Sequence, residues 1–173
     1  DFSFVKLIHA VICQTQELCD IEGIAYRDGD KIIRKPEPDI EDLDVLPLPA
    51  RHLFPVSKYK THPPYGKSLH YLTMISSRGC PYRCTYCSSS VFGKKFRYAS
   101  ARYVVDEIKH LIATYGTREI HFYDDDFTLH KKRAAEVCEL LIKENVKIDW
   151  SCTTRVNLVN PKLLSLMKKS GCW

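Results

Sequence analysis

From residue 69 onward, short β-type apolar segments alternate with amphipathic helical segments, and this alternation restricts the fold more than any other feature of the sequence. Ser100 before one helical pattern and Gly116 after it are typical helix caps, and Asn160 followed by Pro161 is typical of a helix start. The predicted elements are, in order, strand 69–76, helix 101–115, strand 119–123, helix 129–144, strand 146–153 and helix 161–170. A strand–helix unit repeated three times predicts an α/β fold with a parallel sheet and right-handed crossovers.

Three such units do not close a barrel, since a complete barrel of eight units takes about 250 residues. The chain has 173 residues, begins at Asp1 and ends at Trp173, where a fourth strand is expected to begin. We therefore expect a piece of a longer protein, truncated after about three βα units and inactive by itself.

The residues before this alternation predict a different organisation. Helical spacing covers residues 3–18, and two short strands, 22–27 and 31–34, flank the tight-turn dipeptide Asp28–Gly29. In the proline-rich stretch that follows, prolines alternate with acidic residues and remove backbone donors, as in a linker or strap. The predicted domains are the tail of an amino-terminal domain at 1–35, a linker at 36–68 and the first half of an α/β core at 69–173.

The apolar runs of the sequence are too short for a membrane span. The run 10–13 is typical, whereas about 18 consecutive apolar residues are needed to cross a bilayer. The sequence shows no charged-then-apolar leader, so we expect a cytoplasmic protein with no membrane partner. Eight cysteines in such a protein indicate metal binding rather than disulfides.

The charge is unevenly distributed along the chain. Residues 1–50 carry a formal net charge of −6 and residues 51–173 carry +11, which gives the overall +5. Between Asp44 and Asp106 there is no carboxylate, and residues 51–100 alone carry +9. Such a field suits an anionic ligand, a nucleic-acid backbone or an anionic cofactor held by thiolates, or it is simply a solvated basic surface.

Three of the cysteines, Cys80, Cys84 and Cys87, lie within eight residues, directly after the first predicted strand of the core. Their C-x3-C-x2-C spacing places three thiolates on one loop at the carboxyl end of the strand, where parallel α/β proteins hold their sites. Each iron of a cubic cluster takes one thiolate, so three cysteines leave a fourth iron open to a substrate or cofactor. Gly79 and the serines 88–90 let the backbone wrap closely around such a cluster.

Other kinds of site are alternatives for this loop. A zinc knuckle needs four ligands in a tetrahedron and would have to recruit His70 or a remote cysteine. An electron carrier normally closes its cluster with a fourth cysteine, which the loop lacks. Cys138 and Cys152 fall on an apolar helix face and in a strand, where we predict core residues rather than ligands. A nucleic-acid modifying enzyme is a further alternative, which only the basic charge of residues 51–100 supports.

The cysteine loop resembles the signature of the radical S-adenosylmethionine (SAM) superfamily, which is C-x3-C-x-aromatic-C after the first strand of a partial (βα) barrel. Cys80, Cys84 and Cys87 match the three cluster ligands, and Tyr86 matches the aromatic residue that lies against the adenine of SAM. The segments that look like the cobalamin-binding branch of this superfamily are 23–29, 40–51, 77–84, 92–97, 104–108 and 120–128. In that branch, the first two segments link an amino-terminal cobalamin domain to the radical core.

The resemblance implies a radical SAM enzyme with a [4Fe-4S] cluster whose open iron is chelated by the amino and carboxylate groups of SAM. Reductive cleavage of SAM gives a deoxyadenosyl radical, or the core supports cobalamin-dependent methyl transfer or oxidative cyclisation of a small-molecule substrate. Asp124 and Asp125 stand where the family contacts the SAM amino group, although they also suit a polar strand exit. Arg155 is a candidate for the SAM carboxylate or an ordinary arginine at the sheet end. The implied partner is a reductant such as flavodoxin or ferredoxin, and cobalamin would come from the amino-terminal domain.

Overall fold

In a computed structural model, the described residues are 2–14, 17–38, 40–59, 66–67, 71–88 and 91–173. They form two compact units, Asp1–Glu41 and Asp42–Trp173. The expected strand start at Leu69, the alternative zinc ligand His70 and two of the loop serines, Ser89 and Ser90, lie outside the described residues.

The first unit contains one short helix and one β-hairpin. Helix α1 spans Phe2–Ile8 and continues as a π-helical turn, His9–Cys13, after which Gln14 takes a left-handed conformation with a φ of 52°. The predicted amino-terminal helix is therefore present, but it ends at Cys13 rather than at residue 18. Strands β1 (Ala25–Asp28) and β2 (Lys31–Arg34) pair antiparallel, which confirms the predicted hairpin.

The second unit is built on a parallel sheet of three strands, β3 (Tyr71–Met74), β6 (Glu119–Phe122) and β7 (Asp149–Cys152), in the order β3-β6-β7. Helix α2 (Ala101–Tyr115) joins β3 to β6, and helix α3 (Lys131–Lys143) joins β6 to β7. Helix α4 (Pro161–Lys169) follows β7. The α/β class and the parallel sheet are confirmed.

A short antiparallel pair, β4 (Ser77–Arg78) and β5 (Arg97–Tyr98), interrupts the connection from β3 to α2. The sequence patterns predicted only a loop over this region. The pair closes the base of the segment between its strands, residues 79–96, so the cysteine loop is anchored at both ends.

Local capping fixes where two of the helices begin. The Ser100 hydroxyl accepts a hydrogen bond from the Tyr103 N–H at 3.1 Å, and Gly116 ends α2 with a φ of 63°. The Asn160 side chain accepts from the Leu163 N–H at 2.8 Å, and Pro161 occupies the first turn of α4. Both predicted starts are confirmed.

The core lies between the sheet and helices α2, α3 and α4. Trp150 is fully buried against the rings of Phe122 and Phe127, and its Nε1–H donates to the Ser170 carbonyl oxygen at 3.0 Å. Burying each side chain of this kind contributes about 1.5–3 kcal/mol. Cys138 is buried in α3, as predicted, and burial raises the pKa of its thiol to about 11.

The chain after α4 returns alongside β7. Cys172 forms a parallel bridge with Trp150, whose N–H donates to the Gly171 carbonyl oxygen at 3.1 Å. This single parallel bridge lies beside β7 at the position where a fourth strand is predicted to begin. Within the described part of the chain, no helix is both long enough and apolar enough to cross a membrane.

Candidate functional site

The cysteine loop, residues 79–96, leaves the core at the carboxyl end of β3. Gly79 has a φ of +83°, and a Cβ there would lie 2.2 Å from the Lys95 carbonyl oxygen, so only glycine allows the two ends of the loop to pass this closely. The Cys80 N–H donates to the Gly93 carbonyl oxygen at 3.2 Å, and the Arg97 side chain donates to the Phe92 carbonyl oxygen at 3.0 Å. The loop is thus tightly closed at its base.

The loop carries the three predicted ligands as free thiols, with Cys80 and Cys84 half-buried and Cys87 exposed. The Cys87 N–H donates to the Cys84 carbonyl oxygen at 3.1 Å, which forms a turn between these two cysteines. In the described part of the chain, no three Cys, His, Asp or Glu side chains converge closely enough to ligate one metal ion. A cubic cluster puts each thiolate on a separate iron, so its ligands need not converge on one point.

Arg155 comes from the segment after β7 and contacts the cysteine loop directly. Its Nη1 donates to the Cys84 Sγ at 3.0 Å, and its guanidinium carbon lies 4.1 Å from the centroid of the Tyr82 ring. The hydrogen bond to Cys84 raises the pKa of Arg155. The structure therefore joins Arg155 to a predicted cluster ligand that is distant in sequence.

Asp124, the first of three consecutive aspartates after β6, is a buried carboxylate with its acceptor sites in use. Its Oδ1 accepts from the Ser76 N–H at 2.6 Å, and its Oδ2 accepts from the hydroxyls of Ser76 and Ser77, both at 2.7 Å. The Nη1 of Arg133 lies 3.9 Å from the same Oδ2. These contacts join the end of β6 to the end of β3, which indicates that Asp124 stabilises the fold at this point.

Arg133 is the cation that balances this carboxylate. It lies in α3 with 1% of its side chain exposed, and it donates to the carbonyl oxygens of Ala99 at 2.7 Å and Ser76 at 3.0 Å. Burial lowers the pKa of Arg133, and the neighbouring Asp124 opposes that shift. A buried charge of this kind is held only because it is paired and hydrogen-bonded.

The next two aspartates differ from Asp124 and from each other. Asp125 is exposed, as expected from the alternation of side chains along an extended segment. Asp126 is 1% exposed, and its Oδ1 accepts from the Thr154 hydroxyl at 2.8 Å and from the Arg155 N–H at 3.1 Å. The Asp126 Oδ2 is buried and has no hydrogen-bond partner. One exposed carboxylate and one buried unpaired carboxylate oxygen therefore lie at this sheet edge.

Tyr86, the residue predicted to lie against adenine, is 92% exposed. An aromatic side chain that is exposed in this way can stack on a ligand without breaking existing contacts.

The sheet face opposite the helices carries further polar side chains. The His121 Nδ1 lies 2.8 Å from the Ser151 Oγ, and burial lowers the pKa of His121.

The residues present fit an anionic cluster held by three thiolates. The donor set consists of three free thiols on one loop, and a permanently charged arginine already donates to one of them. An unpaired buried carboxylate oxygen on Asp126 and the exposed carboxylate of Asp125 are acceptors suited to an ammonium group. Cys80, Cys84 and Cys87 would hold the cluster.

Comparison with known proteins identifies the family. The sequence model of the Radical SAM superfamily matches residues 74–173, which is more than half of the chain. The chain therefore belongs to the radical SAM superfamily. The matched region contains the cysteine loop, the three aspartates and Arg155.

Curated proteins similar to this chain are named as methyltransferases and cyclases. An uncharacterized methyltransferase of Pyrococcus horikoshii is 38% identical over 99% of this chain and 37% of its own length. An anaerobic magnesium-protoporphyrin IX monomethyl ester cyclase of Rubrivivax gelatinosus is 35% identical over 87% of this chain and 27% of its own length. A cytidylyl-2-hydroxyethylphosphonate methyltransferase of Streptomyces wedmorensis is 31% identical over 89% of this chain and 34% of its own length. The chain thus spans about a third of the length of these relatives.

A solved structure shares the fold. The radical SAM methyltransferase TsrM from Kitasatospora setae, with tryptophan substrate and a SAM analog bound, superposes with a TM-score of 0.73 at 16% identity, over 98% of this chain and 34% of TsrM. A second structure of TsrM, with cobalamin and a [4Fe-4S] cluster bound, gives a TM-score of 0.72 at 15% identity. The predicted partial barrel of the radical SAM type is confirmed as the fold.

Sequence reasoning missed several residues of this site. Tyr82, which stacks on Arg155, and the group of Ser76 and Arg133 around Asp124 were not predicted to act. Tyr82 lies inside the cysteine motif, so its position in the sequence could have identified it as a candidate site residue. The role of Arg133 had no local signal, because its contacts depend on how α3 packs against the sheet.

Proposed function

We propose that the protein is a radical SAM enzyme in which Cys80, Cys84 and Cys87 hold a [4Fe-4S] cluster and SAM binds at the open iron. The observation that carries this proposal is the arrangement of three free thiols on a tightly closed loop beside a cationic side chain. When bound, the cluster supplies the electron that cleaves the sulfonium group of SAM. Membership in the superfamily supports the same assignment.

The residues proposed to bind SAM are Tyr86, Asp125 and Arg155. The exposed ring of Tyr86 is available to the adenine, and the exposed carboxylate of Asp125 can accept a charge-assisted hydrogen bond from the ammonium group. Asp124 was an equal candidate for that role, but its occupied acceptor sites favour Asp125. Arg155 is proposed to face the cofactor side of the loop, since its guanidinium contacts Cys84.

The proposed reaction is methyl transfer or oxidative cyclisation of a small-molecule substrate. Relatives that carry both kinds of name support this range, namely two methyltransferases and a cyclase. We propose cobalamin as a further cofactor, bound by a domain whose tail is residues 1–35 and which the linker 36–68 connects to the core at 69–173. The TsrM structure with cobalamin and a [4Fe-4S] cluster supports this. A cytoplasmic location and a reductant such as flavodoxin or ferredoxin complete the proposal.

The cluster assignment is tested by anaerobic reconstitution of the whole protein. We expect about four iron and four sulfide per chain, and the loss of both when Cys80, Cys84 or Cys87 is changed to Ala. Cys138→Ala is the matched control, because this thiol is buried in α3 and should leave the cluster intact. Stoichiometric zinc without iron uptake would contradict the assignment.

The binding of SAM is tested by electron paramagnetic resonance of the reduced cluster. A change in the spectrum on addition of SAM indicates an enzyme, whereas an unchanged spectrum indicates a carrier or a closed cluster. Asp125→Asn removes a charge-assisted hydrogen bond worth about 1.5–3 kcal/mol, so SAM affinity should fall about ten- to a hundredfold. Asp149→Asn, an exposed aspartate at the opposite end of β7, should leave the affinity unchanged. Equal affinities for the two variants would show that another group holds the ammonium.

A further inference from the structure

We propose that Arg155 is a positioning residue for the iron–sulfur cluster, which acts by donating a hydrogen bond to the Cys84 thiolate and raises the cluster's reduction potential. The contact is direct: the Arg155 Nη1 lies 3.0 Å from the Cys84 Sγ, across 71 positions of the sequence. The inference rests on the proposed function, because it concerns Cys84 as a cluster ligand.

Two further contacts fix Arg155 independently of any cluster. Its backbone N–H donates to the Asp126 Oδ1 at 3.1 Å, and the same oxygen accepts from the Thr154 hydroxyl at 2.8 Å. Its guanidinium lies 4.1 Å from the centroid of the Tyr82 ring, which is a cation–π contact. The arginine is therefore held at its backbone by Asp126, in the segment after β6, and at its head group by the cysteine loop, so little rotational freedom remains to be lost.

The chemistry of the pair gives the direction of the effect. A guanidinium remains charged at every accessible pH, and its hydrogen bond to an anionic acceptor is about twice as strong as one between neutral groups. Adding an electron to a cluster increases the negative charge on its sulfur ligands, so a cationic donor stabilises the reduced form more than the oxidised form. Hydrogen bonds to the sulfurs and net charge are two of the factors that set such potentials.

The test is a redox titration of the reconstituted whole protein without SAM, followed by the resonance signal of the reduced cluster. In Arg155→Gln we expect the ratio of reduced to oxidised cluster at a fixed potential to fall about tenfold, which is a shift of about 59 mV for one electron. Arg155→Lys keeps the charge but not the planar fork, so its midpoint should lie between those of Arg155→Gln and the wild type.

Arg83→Gln is the matched control for this titration. Arg83 is exposed in the same loop, next to Cys84 in sequence, and its loss changes the net charge by the same amount. If the hydrogen bond acts, the midpoint of Arg83→Gln stays close to that of the wild type. Equal shifts for Arg83→Gln and Arg155→Gln would overturn the proposal, because they would trace the effect to net charge alone.

The remaining outcomes separate this inference from the proposed function. A wild-type protein that takes up no cluster overturns both. A wild-type cluster with an unchanged midpoint in Arg155→Gln, together with weaker SAM binding, overturns the inference alone and leaves Arg155 with only the SAM-binding role of the proposed function. If Arg155→Gln fails to hold the cluster, Arg155→Lys decides: a retained cluster with a lowered midpoint supports the proposal, and a lost cluster or a wild-type midpoint overturns it.

Discussion

The substitution Asp124→Asn tests how the core is held together at the edge of the site. The Asp124 and Arg133 side chains are 0% and 1% exposed, and the carboxylate accepts three hydrogen bonds from Ser76 and Ser77. Asparagine has nearly the same shape but no charge. The Arg133 guanidinium would then remain in the core without its balancing carboxylate, so the variant should be destabilised.

The size of the effect follows from the geometry of the pair. Removing one partner of a buried ion pair costs about 3–5 kcal/mol, because the other charge stays desolvated. The separation of 3.9 Å is long for an ion pair, and Arg133 keeps its two bonds to backbone carbonyls, which favours the lower end of that range. A loss of about 3 kcal/mol makes local opening about a hundredfold more frequent, at about 1.4 kcal/mol per decade.

Hydrogen exchange of the whole protein, followed by mass spectrometry, measures this opening. Peptides that contain the ends of β3 and β6 should exchange about a hundredfold faster in Asp124→Asn. Asp125→Asn is the control, since a surface substitution is usually within about 0.5 kcal/mol and should change exchange by no more than about twofold. Similar small changes in both variants would refute the structural role of Asp124.

Three other substitutions test the loop, the core and one surface ion pair. Gly79→Ala should lower the iron content after reconstitution, because a Cβ there would lie 2.2 Å from the Lys95 carbonyl oxygen. Gly93→Ala is the control: a Cβ at Gly93 meets nothing within 4 Å, so this variant should lose less iron. Equal iron contents in the two variants would contradict the role of Gly79. Trp150→Ala should lower the free energy of unfolding by about 3–5 kcal/mol in urea titrations, and a loss below about 1 kcal/mol would contradict its place in the core. The hydrogen bond from Arg102 lowers the pKa of Glu144 from 4.5 to about 2. The ionised Glu144 side chain therefore stabilises the folded protein above pH 4.5, and this stabilisation is lost as the pH falls toward 2. The urea midpoint of Glu144→Gln should therefore fall less between pH 7 and pH 3 than that of the wild type, and equal falls would contradict this.

The parts of the fold that follow from short-range signals could be predicted from the sequence. Ser100, Gly116 and the pair Asn160–Pro161 act on backbone groups within a few residues, so the ends they mark agree with the structure. The amino-terminal helix was predicted too long, because apolar spacing alone does not fix helix length. Most helical stability comes from packing of the apolar face, and Phe4 in this segment remains 62% exposed.

The candidate site divides in the same way. The spacing of the three cysteines is visible in the sequence, because the ligands share one loop. Three consecutive aspartates carry the same local signal, and what separates Asp124 from Asp126 is a set of hydrogen-bond partners 28 to 48 positions away. The contact of Arg155 with Cys84 spans 71 positions. Such pairs depend on which strand ends meet at one edge of the sheet, and no periodicity in the sequence encodes that.

The buried group of Ser76, Ser77, Asp124 and Arg133 also restricts how this lineage can diverge. Each member satisfies a partner that water cannot reach, and leaving one such partner unmatched costs about 1–3 kcal/mol. A lineage that exchanges one member alone passes through a less stable ancestor, and exchange of Asp124 together with Arg133 still leaves the Ser76 and Ser77 donors without their acceptor. Descendants are therefore expected to keep the four residues as a set, even where the surrounding surface has drifted freely.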